Sequence, residues 1–187
     1  MFQPQVKFEF VRRYCPPRDG WCVYVDIDAS ELGKAGSQNL GVVAGMMRKR
    51  MQEDGVTAVA ELTALGVQVG GPRKVWRAQN NLPEIKGDRD IIAFHSGSRR
   101  CIIAEVEGAS SGQPEQKLYK AIGQLVIAVS ETHLADWETH FILVAQGEKM
   151  GRHTKRASAL AKLGVSALVL SPESMIADQW VIGSAPL

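Results

Sequence analysis

The sequence predicts an α/β fold: a mixed central sheet with helices on its faces. Three observations carry this. Apolar residues recur at helical spacing in Leu40, Val43, Ala44, Met47 and Met51 and again in Leu118, Ile122, Leu125 and Val129. Short runs rich in β-formers, at 90–95, 101–107, 140–146 and 165–170, sit among the helical segments. The first two runs are joined by the tight turn Ser96-Gly97-Ser98-Arg99 and so pair as an antiparallel hairpin. The later ones are reached only through helices, which imposes parallel crossovers.

From the N-terminus, residues 6–13 alternate and residues 21–27 are rich in β-formers, with Cys15-Pro16-Pro17-Arg18-Asp19-Gly20 between them. The pattern predicts an N-terminal β-hairpin. Residues 33–37 read as a loop. A helix then runs to Asp54-Gly55, which interrupts it, and a second covers 57–65 and ends at Gly66. Short strands are expected at 67–69 and 75–78, around Gly70-Gly71-Pro72. After the central hairpin, Pro114 opens a helix reaching about residue 130. A strand at 140–146, a helix at 154–163 stopped by Gly164, and a strand at 165–170 follow. Ser171 caps a last short helix with Pro172 in its first position. The whole reads as a single domain: a hairpin arm over 1–37, a core over 55–146 and an αβα extension over 147–187.

Composition narrows the function classes. With 45% hydrophobic and 22% charged residues the 187-residue chain can bury a core, which argues against disorder. A net charge of +2 does not announce a nucleic-acid partner. Short basic groups such as Arg48-Lys49-Arg50 and Arg152-His153 read equally as solvated surface or as phosphate contacts sharing one face. Three cysteines without framework spacing argue against a disulfide-built secreted domain, and there is no CxxC pair for zinc. No signal peptide is recognisable and no apolar run approaches the ~20 residues of a membrane span, so a soluble, cytoplasmic protein is expected. The four histidines are dispersed, no nucleophile–histidine pairing suggests acyl chemistry, and no glycine-rich phosphate loop is present. Tryptophans are more often core than base platforms. Trp76, beside Arg73, Lys74 and Arg77, is the one placed to contact DNA.

The chemistry concentrates in the central hairpin. A turn symmetric about Gly97-Ser98 sets Asp90 across from Glu105 and Asp88 across from Glu107. Alternation puts Glu105 and Glu107 on one face, so up to four carboxylates share a patch. The same face continues through Ile92, Phe94, Cys101 and Ile103, so the acids border a core. Like charges crowded there repel, and burial raises carboxylate pKa values. A bound Mg²⁺ or Mn²⁺, which takes oxygen ligands, would relieve both. A solvated strand end is the competing account, and it suits Asp88 and Glu107 better than Asp90 and Glu105.

Gly87-Asp88-Arg89-Asp90-Ile91-Ile92, followed by Ile102-Ile103-Ala104-Glu105-Val106-Glu107, resembles the PD-(D/E)xK nuclease superfamily, the restriction-endonuclease-like fold. The resemblance spans residues 57–130, and an αβββαβ element order extends it to 146. It implies a metal-dependent endodeoxyribonuclease that hydrolyses DNA phosphodiesters with Mg²⁺ or Mn²⁺. Asp90 matches the family Asp and Glu105 the family acid. Glu61, on the preceding helix, matches a further metal-ligating acid, and the Val106 carbonyl completes the implied ligand set. Arg89 replaces the family Pro, and Glu107 stands where the family has Lys. Lys117 on the following helix, with Lys120 next in line, is the candidate for that missing cation. Gln124 lies on the same stripe as Lys117. With Glu107 as second ligand or water-orienting base and Lys117 facing phosphorus, the implied site is Asp90, Glu105, Glu107 and Lys117. Arg73, Lys74, Arg77, Lys120 and Gln124 are expected to contact nucleic acid. One site per chain implies a homodimer or two visits to cut both strands. The alternative is a nuclease-fold module that no longer cleaves and binds nucleic acid or a protein partner.

Overall fold

A helix, α1 (Gln3–Tyr14), occupies the place where alternation predicts a strand. This computed structural model describes residues 1–29, 31–32, 42–108, 114–172 and 177–185, without the side chains of 42–44, 114 and 148–150. The N-terminal segment satisfies two periods at once. Val6, Phe8 and Phe10 alternate, but Val6, Phe10 and Val11 also share a helical face. Pro4 in the first turn and Arg12 and Arg13 in the last favour the helix. Packing decides: α1 buries Val6, Phe10 and Val11 against one face of the sheet, with Ile102, Ala104, Ile142 and Val144 in the same cluster. A single 3₁₀ turn, Pro17–Asp19, leads into strand β1 (Trp21–Val25). The expected hairpin is therefore absent, and its second half is an inner strand of the sheet rather than part of an arm.

The predicted loop at 33–37 lies outside the described residues. Helix α2 (Val42–Ala64) runs unbroken through Asp54-Gly55, correcting the expected interruption. A Cβ at Gly55 would come within 2.9 Å of the Leu32 side chain, so this glycine serves a close approach rather than a break. Strand β2 (Gln68–Val69) then pairs parallel to β1. The strand expected at 75–78 is instead a short helix, α3 (Arg73–Gln79), begun after Pro72 and anchored by buried Trp76.

Strands β3 (Ile91–His95) and β4 (Arg100–Glu107) form the anticipated hairpin, with Arg99 at φ 54° in its turn. Helix α4 (Pro114–Glu131) crosses over to β5 (Glu138–Gln146), parallel to β4. The predicted 154–163 helix is divided between α5 (Glu148–Arg156) and a 3₁₀ segment, Ser158–Leu163, that ends at left-handed Gly164. Strand β6 (Val165–Leu170) follows, parallel to β5. The helix expected after Ser171 falls largely on 173–176, outside the described residues. Beyond it an unforeseen strand, β7 (Gln179–Ile182), pairs antiparallel with β6. Asp178, just before β7, is clamped by Arg13 Nη1 at 2.7 Å and Tyr14 Oη at 2.8 Å, which ties the sheet edge to α1.

The result is one mixed sheet in the order β2-β1-β3-β4-β5-β6-β7, flanked by helices. One face packs α1 and α2; the other packs α3 and α4, with Leu118, Ala121, Leu125 and Ala128 of α4 over Ile92, Phe94, Ile103 and Leu143. Among the described residues no helix is long and apolar enough to cross a membrane.

Candidate functional site

The β3–β4 register runs from His95↔Arg100 to Ile91↔Ala104. Carried one step further, it sets Asp90 opposite Glu105, as the turn symmetry predicts. Asp90 sits just beyond the end of β3, where β4 continues alone. Its Oδ2 accepts the Val106 N–H at 2.8 Å, so the side chain completes a ladder that the backbone has left. N–H and C=O of one extended residue project to the same side of a strand, so the Val106 carbonyl also faces this gap. Glu105 and Glu107 alternate with Ile103 and Cys101 on the α4 face, and both are buried.

Burial pushes the Glu105 carboxyl well above the carboxylate range, and the adjacent charge of Asp90 adds to this. Glu107 is pushed up to about 7, again chiefly by burial, while the positive charge of Lys117 opposes the shift. Among the described residues, Glu105 Oε1 and Glu107 Oε2 are buried without a hydrogen-bond partner. Asp88 is exposed. The four acids placed together by the sequence thus divide: Asp88 is a solvated strand-end residue, and Glu107, for which the same account was open, belongs to the buried set.

Sequence reasoning missed the cation that meets Asp90. Lys7 of α1 is fully buried. Its Nζ lies 2.7 Å from Asp90 Oδ1 and 2.7 Å from Glu31 Oε1, and donates to the Asp26 carbonyl at 2.6 Å. Burial works to lower the Lys7 pKa, but Asp90 and Glu31 outweigh it and raise the pKa, so Lys7 stays charged. The available signal was a lysine within the apolar run of residues 6–11, visible only once that run is read as a helix. Arg89, at the position where the resemblance expects Pro, is also buried, at 4% exposure. Its Nη1 donates to the Asp88 carbonyl at 2.9 Å and lies 3.9 Å from Glu105 Oε1, its Nη2 lies 3.9 Å from Glu131 Oε2, and among the described residues Nε and Nη2 have no hydrogen-bond partner. The repulsion expected among the acids is therefore partly offset from within, by Lys7 at Asp90 and Arg89 near Glu105.

The remaining candidates scatter. Lys117, half-buried on α4, supplies the largest of the positive influences on Glu107, and exposed Lys120 a weaker one. Gln124 is half-buried on the same helix, and among the described residues no hydrogen bond joins it to the carboxylates. Glu61 lies on α2 with a buried, unpartnered Oε2, but among the described residues no hydrogen bond or ion pair joins it to Asp90, Glu105 or Glu107. Arg73 and Arg77 donate to the carbonyls of Ile85 and Leu82, holding the segment after α3, while Lys74 is exposed. Trp76 packs in the core with Tyr24 and Phe94 and offers no platform for a base. Among the described residues no three of His, Cys, Asp or Glu already stand in ligand geometry about one point.

No protein-family model, curated protein or solved structure matches this chain.

Proposed function

We propose that the chain is a metal-dependent nuclease of the PD-(D/E)xK type, hydrolysing DNA phosphodiesters at the Asp90–Glu105–Glu107 centre. One observation carries the reading: Asp90, Glu105 and Glu107 lie at one end of the β3–β4 hairpin, and among the described residues the buried Glu105 Oε1 and Glu107 Oε2 have no hydrogen-bond donor. Unsatisfied buried carboxylate oxygens are costly. A hard divalent cation is the ligand that would satisfy them, so this donor set fits Mg²⁺ or Mn²⁺. Over residues 57–146 the elements run α2, β2, α3, β3, β4, α4 and β5, so of the expected αβββαβ order the succession β3, β4, α4, β5 is the part that supports the reading.

Glu105, Glu107, the Val106 carbonyl and the free lone pairs of Asp90 would hold the ion. When bound, it supplies Lewis acidity at a phosphoryl oxygen and a water of lowered pKa. The protein's own groups do the rest. Lys7 and the Val106 N–H each hold one Asp90 oxygen and so fix the plane of the carboxylate. Glu107, raised to about 7 by burial in the metal-free chain, would give up its proton on taking the ion. Lys117 and Lys120 place positive potential beside Glu107, where charge on a phosphate would build.

The test is Mn²⁺-dependent cleavage of supercoiled plasmid. The wild type is expected to nick and linearise it, and Asp90→Ala or Glu105→Gln to lose about 100-fold or more in rate while keeping its circular dichroism. Equal cleavage by Asp90→Ala overturns the proposal. A second reading, a module that binds without cutting, is favoured by one fact: each Asp90 oxygen already has a protein partner. Tight DNA binding by a wild type that never cleaves, with Mg²⁺ or Mn²⁺, selects it.

A further inference from the structure

Three oxygens surround the Lys7 ammonium: Asp90 Oδ1 and Glu31 Oε1 at 2.7 Å and the Asp26 carbonyl at 2.6 Å. Each is held by bonds that do not involve Lys7. Asp90 is fixed by the Val106 N–H through Oδ2. Glu31 sits in a reciprocal turn: its Oε2 accepts the Asp28 N–H at 2.8 Å, and its own N–H donates to Asp28 Oδ1 at 2.8 Å. Asp26 is fixed through its N–H, which donates to the Asp90 carbonyl at 2.9 Å. Two carboxylates and a backbone carbonyl, all converging on one cationic group, are also a donor set that a hard cation takes. The ammonium itself has no exposure to solvent.

We infer that the Lys7 ammonium is a tethered cation filling an oxygen cage, formed by Asp90, Glu31 and the Asp26 carbonyl, that would otherwise take a second divalent ion. Asp90 then faces two cation positions, as bridging carboxylates do in two-metal phosphodiesterases. One is closed by a side chain from α1, and the other opens toward Glu105 and Glu107. The cage stands on its own geometry; the count of one divalent ion in the open position rests on the nuclease reading.

The experiment counts Mn²⁺ bound by the full chain, by electron paramagnetic resonance and by calorimetry, in wild type, Lys7→Ala and Lys7→Ala/Glu31→Gln. The wild type is expected to bind one Mn²⁺, Lys7→Ala two, and the double variant to weaken the added ion about tenfold or more. A wild type that binds two ions, or a Lys7→Ala chain that gains none, overturns the inference. Where Lys7→Ala is unfolded without metal, recovery of its native circular dichroism on adding Mn²⁺ supports the cage, and no recovery counts against it. The two proposals fail separately. None bound by wild type with one by Lys7→Ala keeps the cage and sinks the nuclease site; one bound by both keeps the site and sinks the cage.

Discussion

Asp90 and Glu107 are carboxylates at one end of the same hairpin, yet their surroundings differ. Asp90 has an ammonium on one oxygen and a backbone N–H on the other. Glu107 is buried with no donor at Oε2 among the described residues, and Lys117, Lys7 and Lys120 act on it through space. Glu105 lies between, crowded by Asp90 and reached only at 3.9 Å by Arg89. The difference teaches where the fold spends stability and where it withholds it. The Lys7 side is an ion-pair network in which one buried ammonium meets two carboxylates, and it fastens α1 to the sheet. The Glu105–Glu107 side is incomplete, which is how a ligand site differs from a structural one.

The comparison breaks most visibly at Lys7. Lys7→Met removes the counterion of two buried carboxylates and is expected to cost about 3–5 kcal/mol. Urea denaturation at neutral pH, read by circular dichroism, measures this, and a loss under about 1 kcal/mol would make the network ornamental. Asp90→Asn should also destabilise, contrary to expectation from acid crowding alone, because it leaves Lys7 short of an anion.

The other half should respond to pH in the opposite sense from a salt-bridged acid. Glu107 is raised from 4.5 to about 7 in the folded chain. Its contribution is fully present below the unfolded value and is lost as pH rises through the folded one. Metal-free stability should therefore fall between about pH 4.5 and 7, by at most about 3 kcal/mol from this group. Glu105 acts in the same direction and extends the fall to higher pH. Glu107→Gln is expected to flatten the first part of the profile. An unchanged slope in that variant would show that Glu107 titrates normally.

Mn²⁺ sharpens the contrast. At a hundredfold excess over Kd it should stabilise the wild type by about 2.7 kcal/mol, a rise of roughly 5–10 °C in Tm for a chain of this size. Glu105→Gln/Glu107→Gln should remove the rise. A melt of the double variant that still responds places the ion elsewhere.

The smallest effect is at Lys117. Lys117→Ala should change stability by less than about 0.5 kcal/mol, because the side chain is partly solvated and among the described residues makes no close pair. It should nevertheless move the Glu107 titration upward, since Lys117 holds that pKa down. Carboxyl-carbon NMR of the wild type and the variant checks the direction.

The central hairpin was legible because its information is local. A short turn fixes the register, register fixes the cross-strand partner, and alternation fixes the face. Asp90 against Glu105, and the apolar run Ile92, Phe94, Cys101 and Ile103 beside them, followed from residues within one short segment. The N-terminal segment was not legible on those terms. Six residues with Val6, Phe8 and Phe10 satisfy a strand, and with Val6, Phe10 and Val11 a helix. A run that short cannot separate the two periods. Residues 75–78 failed similarly, since β-prone Val75 and Trp76 were outweighed by Trp76 anchoring a helical turn in the core.

What the sequence determined by itself is the α/β class, the β3–β4–α4–β5–β6 succession, and the meeting of Asp90 with Glu105. Each follows from periodicity or from a turn acting over a few residues. What only the tertiary structure decided is the charge state of that meeting. Lys7 arrives from α1 and Glu31 from the turn after β1, while Arg89 folds inward instead of facing solvent. Coulomb interactions act through space and depend on burial, so no spacing along the chain encodes which distant side chain will balance a buried acid.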